Sequence, residues 1–212
     1  MAKVIVALSM SLDGFIAGAH DGRDNPLGDG GGRLFDWYFD GDTPIRHYEA
    51  ARRRGVPVPP FRLSAASAEV FEELIADGGA AVTGRRTYDI TNGWGGNGPL
   101  PGCPLFIVTH HVPDQVPSGE SRYTFVTDGV ASAIEQAKAA AGDGYVSLMG
   151  ASVPQQCLRA GSLDEVQIHL VPVLLGAGVR LFDHLGSESI GLDLVRVVDA
   201  PGVTHLRYRV VR

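Results

Sequence analysis

The sequence predicts an α/β fold in which a mostly parallel central sheet is flanked by helices and bordered by an antiparallel C-terminal hairpin. Short apolar runs alternate with helical patterns over most of the chain, which is typical of parallel strands joined by crossover helices. Strand patterns without helices between them follow, and Ala200-Pro201-Gly202 joins the last two as a hairpin. The 212 residues fit a single domain, residues 1–212.

Each predicted element has its own local signal. The helix that begins near Ser64 can be capped by Ser64 or Ser67, and Asp128 is predicted to cap the helix 130–141. A further helix is predicted at 153–160, closed by Gly161. The predicted strands are residues 3–10, 80–83, 105–109, 124–127, 145–149, 165–175, 191–199 and 203–211.

Residues 19–63 form a long segment with an unusual composition. It is rich in glycine, aspartate, proline and arginine, and it also carries aromatic residues such as Phe35 and Trp37. A loop of this length inside a compact domain is usually functional or disordered. We expect a substrate lid, whose glycines permit motion and whose aromatic residues pack on a ligand. An insertion that packs elsewhere as a structural or dimer arm is the alternative, and Arg52-Arg53-Arg54 is interpreted as a solvated loop.

Composition limits the classes of function. The net charge of −6 argues against a nucleic-acid partner, which requires a basic face. Cys103 and Cys157 match no zinc spacing, no pair of histidines has ligand spacing, and no metal is expected. The N-terminus leads straight into a strand pattern, and no apolar stretch is long enough to cross a membrane. We therefore expect a cytoplasmic protein with no membrane partner.

Three predicted strand ends carry residues suited to phosphate groups. They are Gly84-Arg85-Arg86-Thr87, Thr109-His110-His111 and Met149-Gly150-Ala151-Ser152. In an open α/β sheet, ligands lie outside the carboxyl ends of the strands, near helix N-termini. The pattern therefore indicates a dinucleotide phosphate, although the glycine fingerprint of the Rossmann fold is absent. Arginines on a solvated first turn are the alternative interpretation.

Candidate substrate and catalytic residues surround the first predicted strand. Asp13 is the carboxylate best placed at a strand end, with a turn-forming role beside Gly14 as the alternative. Trp94 is interpreted either as a core anchor or as a stacking wall for a flat substrate. Together with Trp37 from the lid segment, it is expected to shape the pocket. His169 is interpreted as a structural or interface residue.

Three motifs give the chain a family resemblance. They are residues 11–17 (Ser-Leu-Asp-Gly-Phe-Ile-Ala), residues 84–88 (Gly-Arg-Arg-Thr-Tyr) and the stretch 160–176. With these motifs the chain resembles the dihydrofolate reductase fold, and within it the RibD C-terminal domain, the reductase part of riboflavin-biosynthesis enzymes. The resemblance implies an NADPH-dependent reductase that is often a homodimer, similar to 5-amino-6-(5-phosphoribosylamino)uracil reductase.

The resemblance also implies roles for individual residues. Asp13 and Phe15 are placed near the nicotinamide and the substrate, and Thr109 and His110 flank the adenosine 2′-phosphate. The remaining implied cofactor-binding residues contact the phosphates and the nicotinamide side, and they are Gly84, Arg85, Arg86, Thr87, Gly150, Ala151, Ser152 and Val153.

The chain departs from the pattern of the resembled reductases at two positions that concern the substrate, and Met149-Gly150 replaces the Gly-Gly that usually begins the turn after the fifth strand. Ser67–Ala68 occupies the position where dihydrofolate reductases carry a substrate-anchoring carboxylate, and Ala7 occupies the position of a first-strand lysine in riboflavin-pathway reductases. The leading function is a reductase of a small nitrogen heterocycle. The alternatives are a pterin or dihydrofolate reductase and a nucleotide-binding module without turnover.

Overall fold

An eight-stranded sheet forms the centre of the protein, in a computed structural model that describes residues 2–211. The strands are β1 Val4–Ser11, β2 Phe15–Gly18, β3 Thr43–Pro44, β4 Arg62–Leu63, β5 Gly78–Gly84, β6 Leu105–Val108, β7 Tyr123–Val126, β8 Tyr145–Met149, β9 Glu165–Val171, β10 Gly178–Arg180, β11 Gly191–Ala200 and β12 Val203–Val211. The central sheet has the order β11-β12-β9-β1-β8-β5-β6-β7. β12 pairs antiparallel with β9 and β11, whereas the other pairs are parallel.

The predicted fold class, a mostly parallel sheet with an antiparallel C-terminal hairpin, is confirmed. β1 lies between the parallel neighbours β8 and β9, as its continuous apolar start predicts. β2 and β10 form a small antiparallel sheet that the sequence analysis did not predict, and β9 ends at Val171 rather than at residue 175. Pro172 follows directly and has no backbone N–H to continue the ladder. The predicted domain bounds include Met1 and Arg212, which lie outside the described residues.

Within residues 2–211, five α-helices and two 3₁₀ segments connect the strands. They are α1 Arg46–Arg53, α2 Ala65–Ala76, α3 Arg85–Ile90, α4 Val130–Ala141, α5 Ser152–Arg159, and the 3₁₀ segments Gly31–Tyr38 and Asn92–Gly96. Ser64 caps α2 as predicted, because its Oγ accepts the backbone N–H of Ser67 at 3.2 Å. The predicted Asp128 cap of α4 is wrong. Gly129, with φ of 101°, occupies the N-cap position, and no side chain caps this helix.

The two faces of the sheet are covered by different elements. On one face, α4 and α5 pack over alternate residues of the central strands, with Val6 and Leu148 fully buried among them. On the other face, the 3₁₀ segment Gly31–Tyr38 packs with Leu63 and Val171 in a second apolar cluster. Every second side chain of a strand points to the same face, so Val4, Val6, Leu8 and Met10 of β1 all pack in the first cluster.

The segment 19–63 is more ordered than its composition indicates. It contains α1, the 3₁₀ segment and the paired strands β3 and β4. The interpretation of Arg52-Arg53-Arg54 as a solvated loop is wrong, because Arg52 and Arg53 end α1 and Arg54 is its C-cap. Ion pairs also hold this helix end: Arg52 Nη1 lies 2.5 Å from Glu49 Oε1, and Arg54 Nη2 lies 2.7 Å from Glu120 Oε2. These arginines therefore stabilise a helix end.

Both cysteines are free and buried, and burial raises the pKa of Cys103 to about 11. Neither thiol is activated for nucleophilic chemistry, because the thiolate is disfavoured at neutral pH. Among residues 2–211, no helix combines the length and the apolar composition needed to cross a membrane.

Candidate functional site: a cavity over the central strands

A cavity of about 990 Å³ lies over the face of the sheet opposite α4 and α5. Its floor is formed by small side chains on three neighbouring strands: Ala7 and Ser9 of β1, Ser147 of β8 and Ala81 of β5. Larger side chains at these positions would fill the space, as the valines and leucines do on the opposite face. The sequence of the central strands therefore leaves room for a ligand on this face.

Aromatic side chains form one wall of the cavity. Tyr38 and Phe61 lie with ring centroids 5.0 Å apart, and Tyr48 contacts Phe61 at 5.1 Å. Phe35 and Phe71 complete this wall. Most of these rings belong to the segment 19–63, so this segment lines the cavity. Its closure as a lid stays a prediction.

Two glycine-containing strand-to-helix turns, here called glycine joints, lie against each other: Gly84 ends β5 and Gly150 follows β8. Gly150 has φ of 76°, and a Cβ there would lie 2.4 Å from Thr87 Oγ1. A Cβ on Gly84 would lie 3.1 Å from Ser152 Oγ. Neither α3 nor α5 begins with a side-chain cap. The absence of side chains at both glycines thus brings two uncapped helix starts together at the rim of the cavity.

Six of the predicted cofactor-binding residues line the cavity, and they are Gly84, Arg86, Thr87, Gly150, Ala151 and Ser152. Arg86 Nη2 donates to the carboxylate of Asp21 at 2.7 Å and to its backbone carbonyl at 2.9 Å. Val153 is buried in the core at the start of α5. Arg86 is therefore the arginine of the pair that faces the cavity.

Arg85 points away from the cavity, toward the end of β6. Its Nε lies 2.9 Å from both carboxylate oxygens of Asp89, and its Nη1 donates to Thr109 Oγ1 at 3.3 Å and to the carbonyl of His111 at 2.7 Å. His110, the next residue along, is exposed. The predicted residues Arg85, Thr109 and His110 therefore form a second cluster outside the cavity.

Asp13 anchors a turn. Its carboxylate accepts hydrogen bonds from Ser11 Oγ at 2.5 Å, from the backbone N–H of Leu175 at 3.2 Å and from that of Gly176 at 2.7 Å. The bond from Ser11 is the main cause that lowers the pKa of Asp13 to about 2, and the backbone donors act in the same direction. At neutral pH this carboxylate is ionised and has no proton to donate. These bonds show a structural role for Asp13. Its catalytic role stays a prediction.

The predicted substrate residues occupy three different environments. Trp94 lines the cavity. Trp37 is buried behind Tyr38, and its Nε1 donates to Ser9 Oγ at 3.2 Å and to the carbonyl of Leu34 at 3.1 Å. Phe15 is buried under the Arg180 guanidinium, whose Cζ lies 4.3 Å from the ring centroid. Of the three, only Trp94 is positioned to contact a ligand directly.

Sequence reasoning missed a buried polar network under the cavity. His205 and His169 are paired across β12 and β9, with their Nδ1 atoms 2.7 Å apart. His205 Nε2 lies 2.9 Å from Ser67 Oγ, in the first turn of α2. Alternation along β9 indicates the face of His169, but the pairing with His205 requires the antiparallel register of two strands.

Residues 2–206 match the RibD C-terminal domain family. The chain belongs to this family. It is 24% identical over 190 residues to the uncharacterized protein YwjB of Bacillus subtilis (strain 168), an alignment that covers 88% of this chain and 86% of YwjB. The predicted resemblance to the RibD C-terminal domain is confirmed.

Solved structures show the same fold. A putative riboflavin biosynthesis protein from Shewanella sp. PV-4 superposes with a TM-score of 0.65 at 24% identity, and the match covers 100% of both chains. The riboflavin biosynthesis reductase Rib7 of Saccharomyces cerevisiae superposes with a TM-score of 0.57 at 12% identity, over 99% of this chain and 90% of that one. The chain thus has the dihydrofolate reductase-like fold of the RibD reductases.

Within residues 2–211, no three side chains of histidine, cysteine, aspartate or glutamate are grouped so as to hold a metal ion. The cavity, its helix starts and its aromatic wall are therefore the features on which a functional proposal for this RibD C-terminal domain rests.

Proposed function

We propose that this protein is an oxidoreductase that transfers a hydride from NADPH to a flat nitrogen heterocycle of the aminouracil class. One observation carries the proposal: two uncapped helix starts and an aromatic wall border the same cavity of about 990 Å³. This volume is at the upper end of the usual range for small-molecule sites. Family membership and the likeness to a protein described as a riboflavin biosynthesis reductase support the proposed reaction class.

The glycine joints fit a dinucleotide cofactor. Because a Cβ at Gly84 or Gly150 would meet the neighbouring segment, both glycines allow the starts of α3 and α5 to pack closely, and both border the cavity. Gly84, Arg86, Thr87 and the residues 150–152 would hold the pyrophosphate. The cofactor, when bound, supplies the hydride. Arg86 would contribute a charge-assisted contact to this group.

A separate cluster accounts for the proposed preference for NADPH over NADH. Arg85 and Thr109 are hydrogen-bonded to each other, and the exposed His110 follows directly in the chain. The Arg85 guanidinium and the exposed His110 imidazole at the end of β6 suit the adenosine 2′-phosphate, and the buried Thr109 hydroxyl holds the turn by donating to the carbonyl of His111 at 2.8 Å. The family resemblance implies this place beside the 2′-phosphate for Thr109 and His110, and a contact with the cofactor's phosphates for Arg85.

Among the described residues, the floor of the cavity carries no charged side chain on the substrate side. Ala7, Ala81 and the ring of Phe71 present no charge to a bound heterocycle, and the aromatic wall excludes water from the reacting atoms. Ala7 leaves the floor without the lysine expected in riboflavin-pathway reductases. We therefore propose that a substrate phosphate is not bound at this point of the sheet.

A pterin or dihydrofolate substrate has less support. In the first turn of α2, Ser67 Oγ contacts His205, and Glu69 is an exposed residue whose Oε1 lies 3.7 Å from Arg196 Nη2. No carboxylate of this turn is directed into the cavity. A pterin ring would therefore lack its usual charged anchor.

We also propose that the protein is a cytoplasmic homodimer that pairs through its C-terminal hairpin. β11 is the edge strand of the sheet, and Leu194, Val195 and Val197 are 51–58% exposed on it. An apolar edge of this length is usually covered, because it otherwise promotes aggregation. Light scattering at micromolar concentration is expected to give the mass of a dimer, and Leu194→Lys is expected to give a monomer. A monomeric wild type would contradict the assignment.

The reaction itself is tested by mixing the protein with NADPH and a panel of heterocycles while the absorbance of the reduced nicotinamide is followed. The panel contains aminouracils with and without a phosphoribosyl group, dihydropterin and dihydrofolate. Oxidation of NADPH with an aminouracil is the expected result. Binding of NADPH without oxidation by any member of the panel would favour a nucleotide-binding module, and oxidation only with dihydropterin or dihydrofolate would favour a pterin reductase.

A further inference from the structure

Two buried histidines lie beneath the substrate side of the cavity and have no part in the function proposed above. His169 is 1% exposed and His205 is 3% exposed. The ring of His169 packs against Trp37, with centroids 5.2 Å apart, and His169 also lines the cavity. Each buried polar group requires hydrogen-bond partners to offset its loss of hydration, so the partners of both histidines need to be identified.

The hydrogen bonds of Ser67 determine which atom donates and which accepts at each step of the network. Ser64 Oγ donates to Ser67 Oγ at 3.0 Å, so Ser64 Oγ is not the acceptor of the Ser67 hydroxyl proton. Within residues 2–211, the remaining side-chain partner of Ser67 Oγ is His205 Nε2, at 2.9 Å. The hydroxyl proton of Ser67 is therefore donated to His205 Nε2, which carries no hydrogen.

The protonation state of His205 Nε2 then determines the donor and the acceptor between the two imidazoles. A neutral imidazole with an unprotonated Nε2 carries its hydrogen on Nδ1. His205 Nδ1 accordingly donates to His169 Nδ1 across 2.7 Å. His169 then carries its own hydrogen on Nε2, an atom that has no partner among the described residues.

We propose that the Nε2–H group of His169 is a substrate-orienting donor that binds a ring carbonyl oxygen of the heterocycle, and that Ser64, Ser67 and His205 fix its tautomer. This inference rests on the proposed function and specifies the substrate class as a pyrimidine with a carbonyl acceptor. Ser9 lies beside His169 in the register of β1 and β9, so the donor is at the floor of the cavity. His205 and Ser67 act through His169 and are positioning residues.

Both imidazoles remain neutral under working conditions. Burial, and next the neighbouring His205, lower the pKa of His169 to about 3. Burial, and next the charge of Arg196, lower the pKa of His205 to about 4. A neutral N–H donor matches a neutral carbonyl oxygen. His169 is therefore assigned to ring recognition and not to proton supply.

The tautomers are tested without any ligand. Long-range proton–nitrogen correlation spectra of the protein, labelled at its histidine nitrogens, distinguish Nδ1–H from Nε2–H imidazoles. His169 is expected as the Nε2–H tautomer and His205 as the Nδ1–H tautomer, and Ser67→Ala is expected to give a mixture at both residues. The reverse assignment in the wild type would overturn the direction of the network and with it the proposed donor.

The ligand is tested with two pyrimidines of similar size, 5,6-diaminouracil and 2,4,5,6-tetraaminopyrimidine, which carries amines in place of the carbonyls. The wild type, saturated with NADPH, is expected to bind the uracil more tightly. His169→Phe is expected to lose about tenfold in affinity for the uracil, the usual effect of one neutral hydrogen bond, with unchanged affinity for the tetraamine. His169→Gln, whose amide retains a donor, is expected to recover part of the loss.

The outcomes separate this inference from the proposed function. Equal affinity of the wild type and His169→Phe for 5,6-diaminouracil, while NADPH is still bound and oxidised, would overturn the role of His169 alone. A wild type that binds neither pyrimidine would overturn the ligand assignment. If the wild type also fails to bind NADPH, the proposed function falls with it.

Discussion

Gly150→Ala is expected to lower the free energy of unfolding by about 2–3 kcal/mol. Gly150 has φ of 76°, and an alanine in this left-handed region costs about 1–2 kcal/mol. Its Cβ would also lie 2.4 Å from Thr87 Oγ1. This contact forces the Thr87 side chain off its rotamer, at a cost of about 1 kcal/mol. The two costs arise at one place, where the starts of α3 and α5 meet.

A double-mutant cycle with Thr87→Ala separates the two costs. Without Oγ1 the steric contact disappears, so Gly150→Ala is expected to cost only about 1–2 kcal/mol in the Thr87→Ala background. Gly161→Ala is the matched control, because Gly161 has φ of 65° and nothing within 4 Å of its Cβ position. Urea denaturation measures all variants. Additive effects of Gly150→Ala and Thr87→Ala would refute the close approach of the two joints.

Two further predictions follow from the shifted pKa values. The unfolded chain binds protons at histidine below about pH 6.5, whereas the folded forms of His169 and His205 stay neutral down to about 3 and about 4. Stability is therefore complete above about pH 6.5 and falls on acidification by about 1.4 kcal/mol per pH unit for each residue. Urea titrations between about pH 6.5 and about pH 5 are expected to show a flatter slope in His169→Gln/His205→Gln, and an equal slope would contradict the buried neutral pair. Asp13→Asn is expected to lower the melting temperature and to weaken the dependence of stability on pH below about pH 4, because the folded pKa of Asp13 lies below its ordinary value. Loss of turnover in a fully folded variant would instead support a catalytic role.

The alternation of apolar runs and helix signals was enough to predict the sheet. β1, β8 and β5 are short apolar strands, and Ser64 is an N-cap residue in sequence and in structure. Local sequence signals predicted the wrong residue where the backbone angle of a neighbouring residue determined the position of a helix cap. Asp128 is a good cap residue, yet the positive φ of Gly129 places the cap one residue later.

The candidate site was predicted in part, because its residues follow directly after strands. Gly84 and Gly150 were found from their positions at strand ends, but the close approach of Gly150 to Thr87 and of Gly84 to Ser152 depends on the adjacency of β5 and β8. Trp37 was expected in the pocket from its aromatic character, whereas the structure buries it behind Tyr38. Composition alone does not indicate which face of a 3₁₀ segment is directed to the core.

The proposal that NADPH binds at these strand ends is tested most directly by calorimetric titration of the wild type with NADPH and with NADH. NADPH is expected to bind about ten- to hundredfold more tightly, the effect of one charge-assisted contact to the 2′-phosphate. Arg85→Gln is expected to abolish the preference, and Arg62→Gln, a control at an exposed arginine that does not line the cavity, is expected to retain it. Equal affinity for both dinucleotides in the wild type, or no binding of either, would contradict the account.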